Sequence, residues 1–526
     1  MLIAALGAGC TEATSAVAPD ATAVTVLEPL PTIEPAAADE VSAPVRRLTF
    51  APCADAPELE CGELPVPVDY ADPHGPQIVL ATVRAPALGR HKRGVVFVNP
   101  GGPGGSGVDL VVMETPRFAA LRDSFDVVSF DPRGVARSHS VDCVVDLAGL
   151  PAGDTLAAQA AQLDEIGRRY ATACRAQHGA LVTQVGTDNV ARDMDVFRAA
   201  LGERELNYLG FSYGTVLGVA YATLFPQRVR AMVLDGNASP AWFTDYLVEL
   251  DSDGSAGAEL ALRRLDQICS QAADCPLRTK GVVATFDRVV ERLNQNPIVV
   301  GGGVITGASF RANVLDALSE EVHGWPLIVQ VLTAADAGDF AGVPAVPVDA
   351  GTTTTFVSGF AVLCDDSATR RPALDYLPAQ RATQAVYPRF GGVNFGAVVT
   401  ACAAWPTAHA APVANLRTAN PVVLIGNDFD PATPLAWSRN MATALGEKAT
   451  LVRYQGGGHT VYTAGNDCID HAVEAYVRDL VVPPRGLTCP ATPLAFAPAL
   501  RAARAAPASA LAPRSFPRLP QLPGLR

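Results

Sequence analysis

Between residues 77 and 240, short apolar runs alternate with longer segments of helical period. QIVLATVRA (77–85), GVVFVN (94–99), DVVSFD (126–131), LNYLG (206–210) and RAMVLD (230–235) have strand length and carry many β-branched residues. PVVLIG (421–426) and ATLVRY (449–454) repeat the pattern towards the other end. Several of these runs are apolar at nearly every position instead of alternating. That suits strands covered on both faces, as in a mostly parallel sheet. Segments 155–178, 188–202 and 213–225 read as the helices between them. The alternation predicts an α/β fold, a doubly wound and mostly parallel sheet.

The rhythm breaks between about 240 and 415. That stretch is helix-rich, as in 256–271 and 281–294, and holds one glycine-rich segment, GGGVITG (301–307). Lying between two sheet strands, it is expected to be an insertion. Open α/β sheets bind ligands beyond the carboxyl ends of their strands, so an insertion at that edge caps the site. The expected organisation is a sheet core in two parts, 46–240 and 416–490, around a mainly helical cap or lid, 241–415.

The flanks differ from this core. Residues 2–9 form an apolar run ending at Cys10, and an Ala/Thr/Pro/Glu tract follows to about residue 45. The layout resembles a bacterial lipoprotein signal shortened at its start. It implies an export segment, a flexible linker and a lipid anchor at Cys10, with a soluble secreted protein as the alternative. The stretch 491–526 is rich in Ala, Pro and Arg, contains no acidic residue, and reads as a disordered tail.

With 49% hydrophobic and 18% charged residues over 526 positions, the chain is too apolar to be disordered as a whole. A net charge of −13 argues against nucleic acid as a partner, because phosphate contacts need a basic face. No apolar run approaches the roughly 18 residues of a membrane-spanning helix. Eleven cysteines are present. Without Cys10 they make an even set with no CxxC and no metal-ligand spacing, which points to disulfides in an exported chain rather than to zinc. Pairing neighbours closes the shortest loops: 53–61, 143–174, 269–275, 364–402 and 468–489. Reduced buried cysteines in a cytosolic enzyme are the alternative.

Chemistry concentrates in four loops, each after a strand. Gly210-Phe211-Ser212-Tyr213-Gly214 is the one G-x-S-x-G of the chain, and it lies between an apolar strand and a helix. In that setting the motif is a nucleophile turn with Ser212 at its tip. Asn99-Pro100-Gly101-Gly102-Pro103-Gly104-Gly105 follows another strand. It has no GK[ST], so a phosphate loop is disfavoured, and a glycine-rich backbone can aim N–H groups at an oxyanion. Gly102 and Tyr213, just after the nucleophile, are the candidate donors. Asp430 in NDFDPATP and His459 in GGGHTVY also follow strands, in the order Ser…Asp…His. A serine hydroxyl needs a base and the base needs an orienting carboxylate. Asp428 is a rival acid two residues earlier. Asp131 and Asp235 end strands and read as loop-ordering residues. The remaining histidines, His74, His91, His139, His178, His323, His409 and His471, follow no strand in a glycine-rich loop.

Together PGGPG (100–104), FDPRGVARS (130–138), GFSYGT, MVLDG (232–236), DPATP and GGGH resemble the tripeptidyl-aminopeptidase-like α/β-hydrolases, relatives of proline iminopeptidase. The resemblance runs from about 50 to 490. Pro100 stands where relatives have His, and Ala136 where Gly is common. It implies an α/β-hydrolase fold and a secreted serine exopeptidase with a helical cap. It implies peptide substrates with a free N-terminus, a triad of Ser212, Asp430 and His459, and no metal or organic cofactor. An exopeptidase needs carboxylates for the substrate ammonium. Asp365 and Asp366 are the first candidates, then Glu320 and Glu321, then Asp245. A hydrolase of small esters or amides on the same fold is the alternative, and a non-catalytic binding module is a third reading.

Overall fold

The computed structural model describes residues 47–496, except 151–152, 154, 244–245, 301–302, 348–352, 357, 368–369, 393–401 and 407–415. Cys10, Asp245, His409 and the stretch 497–526 therefore lie outside the described residues.

The strands are β1 (Phe50–Pro52), β2 (Glu60–Pro67), β3 (Gln77–Ala85), β4 (Val95–Asn99), β5 (Asp126–Phe130), β6 (Cys143–Asp146), β7 (Leu206–Phe211), β8 (Val229–Asp235), β9 (Ile298–Val300), β10 (Gly303–Ile305), β11 (Val346–Pro347), β12 (Thr353–Phe356), β13 (Val422–Phe429), β14 (Ala449–Gly457) and β15 (Thr488–Cys489). Ten of them form one sheet in the order β1-β2-β3-β5-β4-β7-β8-β13-β14-β15. From β5 to β15 every neighbouring pair is parallel, and β1 to β3 continue the sheet antiparallel. Every residue of β4, β5 and β7 is buried, as their unbroken apolar runs require.

Alternate residues of each strand feed different cores. Phe97, Tyr208, Leu234 and Leu424 pack with the helices Thr187–Ala200, Tyr213–Leu224 and Leu435–Leu445. Val96, Val98, Leu209, Val233 and Ile425 pack on the opposite face with Gly107–Glu114 and Asp467–Asp479. This doubly wound arrangement is the fold read from the sequence. Register aligns the functional strand ends: Asn99 pairs with Gly210, Phe211 with Asp235, and Asp235 with Ile425.

Between β8 and β13 the chain leaves the sheet. Helices Tyr246–Gln271, Val282–Gln295, Gly307–Leu318 and Glu321–Asp336 enclose a separate apolar core around Phe286, Phe310 and Trp325. The glycine-rich segment expected at 301–307 contributes β10, the middle strand of the antiparallel order β11-β10-β9. The helix Ser358–Asp366 belongs elsewhere, packing with Tyr170, Tyr213 and Trp242. β12 pairs antiparallel with β6, a pairing too short and too distant in sequence for periodicity to reveal.

The bridges are Cys53–Cys61, Cys143–Cys174, Cys269–Cys275, Cys364–Cys402 and Cys468–Cys489, the neighbour pairing expected from loop closure. Five disulfides indicate folding in an oxidising, extracytoplasmic compartment. Residues 491–496, expected from composition to be part of the tail, lie against the cap. Phe496 is buried in the cap core and its N–H bonds Asp274. One aromatic anchor outweighs a polar, proline-rich context.

Candidate active site

Ser212 directly follows β7 in a left-handed conformation (φ 56°), unusual for a residue with a Cβ. Its N–H donates to the Asp235 carbonyl (2.9 Å) and its own carbonyl accepts from Thr215 N–H (2.8 Å), so the turn is held from both sides. The motif glycines are sterically required. A methyl group at Gly214 would lie 2.8 Å from Asn99 Oδ1, and one at Gly101 would lie 2.3 Å from the Phe211 carbonyl oxygen and 3.0 Å from Ser212 Cβ. The loop after β4 therefore rests directly against the nucleophile turn. Asn99 Oδ1 accepts from Gly101 N–H (3.0 Å) and Gly105 N–H returns to the Gly101 carbonyl (3.1 Å), with Gly102 at the bend. Tyr213 opens its helix, so its N–H has no partner within that helix.

Asp430 and His459 come together. His459 Nδ1 lies 3.1 Å from both Asp430 oxygens. Asp430 is oriented by three further donors: Ala432 N–H (2.8 Å), Thr433 N–H (2.8 Å) and Thr433 Oγ1 (2.9 Å). Thr433 gives the DPATP turn a purpose that its spelling alone does not convey. With Nδ1 facing a carboxylate, the tautomer with its proton there leaves a lone pair on Nε2. Nε2 is buried and has no hydrogen-bond partner among the described residues. The ring's Cε1 would lie 3.2 Å from a methyl group at Gly236. His459 and Ser212 thus flank the same Asp235–Gly236 turn. Burial opposes a charge on His459, but Asp430, then Asp235 and Glu320, more than offset it, so the imidazole titrates above its ordinary value.

The other acidic candidates separate cleanly. Asp428 is held by Arg453 through Nε (2.5 Å) and Nη2 (2.7 Å) and is not the partner of His459. Asp131 accepts from Val108 N–H (3.1 Å), Arg137 N–H (3.2 Å) and the Ser106 hydroxyl, ordering its loop. Asp365 and Asp366 are 0% and 1% exposed. Asp365 accepts from Gly186 N–H (2.9 Å), and Asp366 from Thr187 N–H (2.7 Å), Thr187 Oγ1 (2.5 Å) and Trp242 Nε1 (2.9 Å). They cap the helix Thr187–Ala200 and, through the Thr187 hydroxyl, reach the Tyr213 hydroxyl (2.5 Å). Both are committed to the scaffold behind Tyr213, which corrects the expectation that they receive a substrate ammonium. Glu321 is likewise buried, accepting from Tyr454 Oη (2.6 Å) and Gly457 N–H (2.8 Å). Glu320, beside it, is exposed, and its charge reaches His459. His74, His91, His139, His323 and His471 are exposed and His178 is half-buried.

The cap closes on these loops. His459 N–H donates to the Ser319 carbonyl (2.7 Å). A methyl group at Gly257 would lie 2.6 Å from the Asp430 carbonyl oxygen, and one at Gly104 would lie 2.9 Å from Gly359 Cα. Among the described residues, no group of three or more His, Cys, Asp or Glu is arranged to hold a metal ion.

A parallel sheet whose strand ends carry a nucleophile turn, an acid loop and a histidine loop in that order defines an α/β-hydrolase. Comparison with known proteins narrows the class. A family profile described as TAP-like protein matches residues 387–489. Serine protease Hip1 of Mycobacterium tuberculosis is 32% identical over 82% of this chain and 87% of its own length. Tripeptidyl aminopeptidase of Streptomyces coelicolor is 30% identical over 82% of this chain and 83% of its own. Carboxylesterase B of M. tuberculosis is 34% identical over 83% and 88%. The chain belongs to the tripeptidyl-aminopeptidase-like family of α/β-hydrolases and is a serine hydrolase.

Proposed function

We propose that this chain is an aminopeptidase that cuts peptides near a free N-terminus, through an acyl-enzyme on Ser212. The observation that carries the reading is the bidentate approach of Asp430 to His459 Nδ1, with Nε2 left buried and unpartnered beside the Ser212 turn. His459 Nε2 takes the Ser212 proton as Oγ attacks the scissile carbonyl. Asp430 holds the tautomer and offsets the imidazolium charge. The Gly102 and Tyr213 N–H groups receive the oxyanion. The C–N bond then breaks, His459 gives its proton to the leaving amine, and water repeats the sequence to release the acyl group.

The N-terminal preference rests on Glu320. It lies between two cap helices, next to Ser319, whose carbonyl receives His459 N–H. An exposed carboxylate that close to the base suits a substrate ammonium. Ester or small-amide hydrolysis is the second reading, favoured by the 34% identical relative named carboxylesterase. Rates on tripeptide and single-residue anilides, their N-acetyl forms and a short ester separate the two. The aminopeptidase reading expects turnover of free-amino substrates only, lost on acetylation. Equal rates with and without acetylation overturn it. Export with a lipid anchor at Cys10 belongs to the same proposal, and mass spectrometry of the mature N-terminus checks it.

A further inference from the structure

We propose that Asp235 is a positioning residue for His459: its Oδ2 clamps the backbone that carries the imidazole, so the base depends on two carboxylates, one at its ring and one beneath its loop. The inference rests on the reading of His459 as the base for Ser212.

Asp235 is the last residue of β8, locked between Phe211 and Ile425 by register. Its carbonyl accepts the Ser212 N–H (2.9 Å). Its carboxylate oxygen Oδ2 accepts Val461 N–H (2.9 Å) and Tyr462 N–H (2.8 Å). One residue therefore joins the nucleophile turn and the histidine loop. The loop needs such a hold, because Thr460 (φ 65°) and Thr463 (φ 67°) on either side of the clamped pair are left-handed. β-branched residues avoid that region, and strain of this kind persists only where surroundings impose it. From the far side Arg117 adds a bond to Thr463 Oγ1 (2.8 Å).

A purely structural clamp would be built differently. Asp235 is fully buried, no cation pairs with it among the described residues, and its Oδ1 has no hydrogen-bond partner there. The groups acting on it are the Val461 and Tyr462 N–H groups, His459 and Asp430, and burial raises its titration to about 6. Keeping an ionised carboxylate there is costly, and an uncharged acceptor would serve the two N–H groups. What the charge adds is a second anionic neighbour for His459.

The test is the rate at which a fluorophosphonate labels Ser212 as a function of pH, a reading that needs no knowledge of the natural substrate. Asp235→Ala is expected to slow labelling at least about tenfold and, because it orphans two buried N–H groups, to lower the melting temperature as well. Asp235→Asn keeps an acceptor for both N–H groups and loses the charge. It is expected to react within about threefold of wild type at its plateau, with the acid limb moved down by about half a pH unit or more, because His459 loses an anion. An Ala variant within twofold of wild type overturns the clamp. If the Ala variant does not fold, the Asn variant decides, and an unmoved acid limb overturns the proposal. Labelling that His459→Ala leaves untouched overturns the base assignment and the clamp with it. Labelling that needs His459 but ignores both Asp235 variants overturns the clamp alone.

Discussion

The carboxyl edge of the sheet and the cap meet at the His459 loop but are built on different principles. At the sheet edge, position comes from backbone: register aligns Phe211, Asp235 and Ile425, and short loops place the side chains a residue or two beyond. In the cap, position comes from side chains packed around Trp325 and Phe286, and from Arg389 bridging Glu259 (2.9 Å) and Asp287 (2.8 Å). The first arrangement tolerates little change at its motif glycines. The second touches the Asp430 and His459 loops at a few points, through the Ser319 carbonyl, Gly257 and Glu321. Relatives of similar length carry protease, aminopeptidase and carboxylesterase names, so the shared fold does not by itself fix the substrate.

Substitutions on the two sides should therefore fail differently. Ser212→Ala, on the sheet side, is expected to lower kcat by about 10⁴-fold or more with little change in KM, measured on whichever substrate wild type turns over. Asp430→Asn should cost about 10⁴-fold in kcat through loss of the tautomer, whereas Asp428→Asn should leave kcat within a few-fold. Equal losses would mean that the two acids had been misassigned. Glu320→Gln, on the cap side, should raise KM for free-amino substrates about 10- to 100-fold and leave N-acetyl or ester substrates alone. A uniform effect on both would remove the division of labour. The acid limb of kcat/KM should lie above about 6.5, the ordinary histidine value, because a neutral His459 is required and its neighbours favour the charged form.

The smallest effect concerns stability. Asp235 titrates higher in the fold than in the unfolded chain, so its proton-bound form favours folding. The cost of ionising it is absent below about pH 4, the unfolded value, and complete above its folded value of about 6. Asp235→Asn should therefore melt higher than wild type at pH 8, by at most a few kcal/mol, and equally at about pH 4. A lower melting point at pH 8 would mark Asp235 as a stabilising residue.

The same contrast explains what could be read in advance. The long sheet strands, the neighbour pairing of the cysteines and the loops that bring Asp430 to His459 were legible, because each is a local pattern of period, glycine or spacing. The acidic candidates for a substrate ammonium were named, with Glu320 among them, but could not be ranked from the sequence. Asp365 and Asp366 form a conspicuous acidic pair, yet their partners, Gly186 and Thr187, lie 179 residues earlier in the chain. Glu320 stood second among them, because its relation to His459 exists only once the cap has folded onto β14. Thr433 and Asp235 were in view as parts of motifs, but their donors and acceptors come from tertiary geometry. β6 and β12 escaped notice because each is only four residues long and β7, β8 and much of the insertion separate them in the chain.

The disulfides carry one more consequence. None of the five encloses or crosses another, since every bridged cysteine is joined to an immediate neighbour in the series. Joining the thiols in their order along the chain gives this set with no rearrangement of bridges. Cys10 is the exception, standing ahead of the series as an eleventh thiol. Left free during synthesis, it would offer Cys53 an earlier partner and move every later pairing by one place.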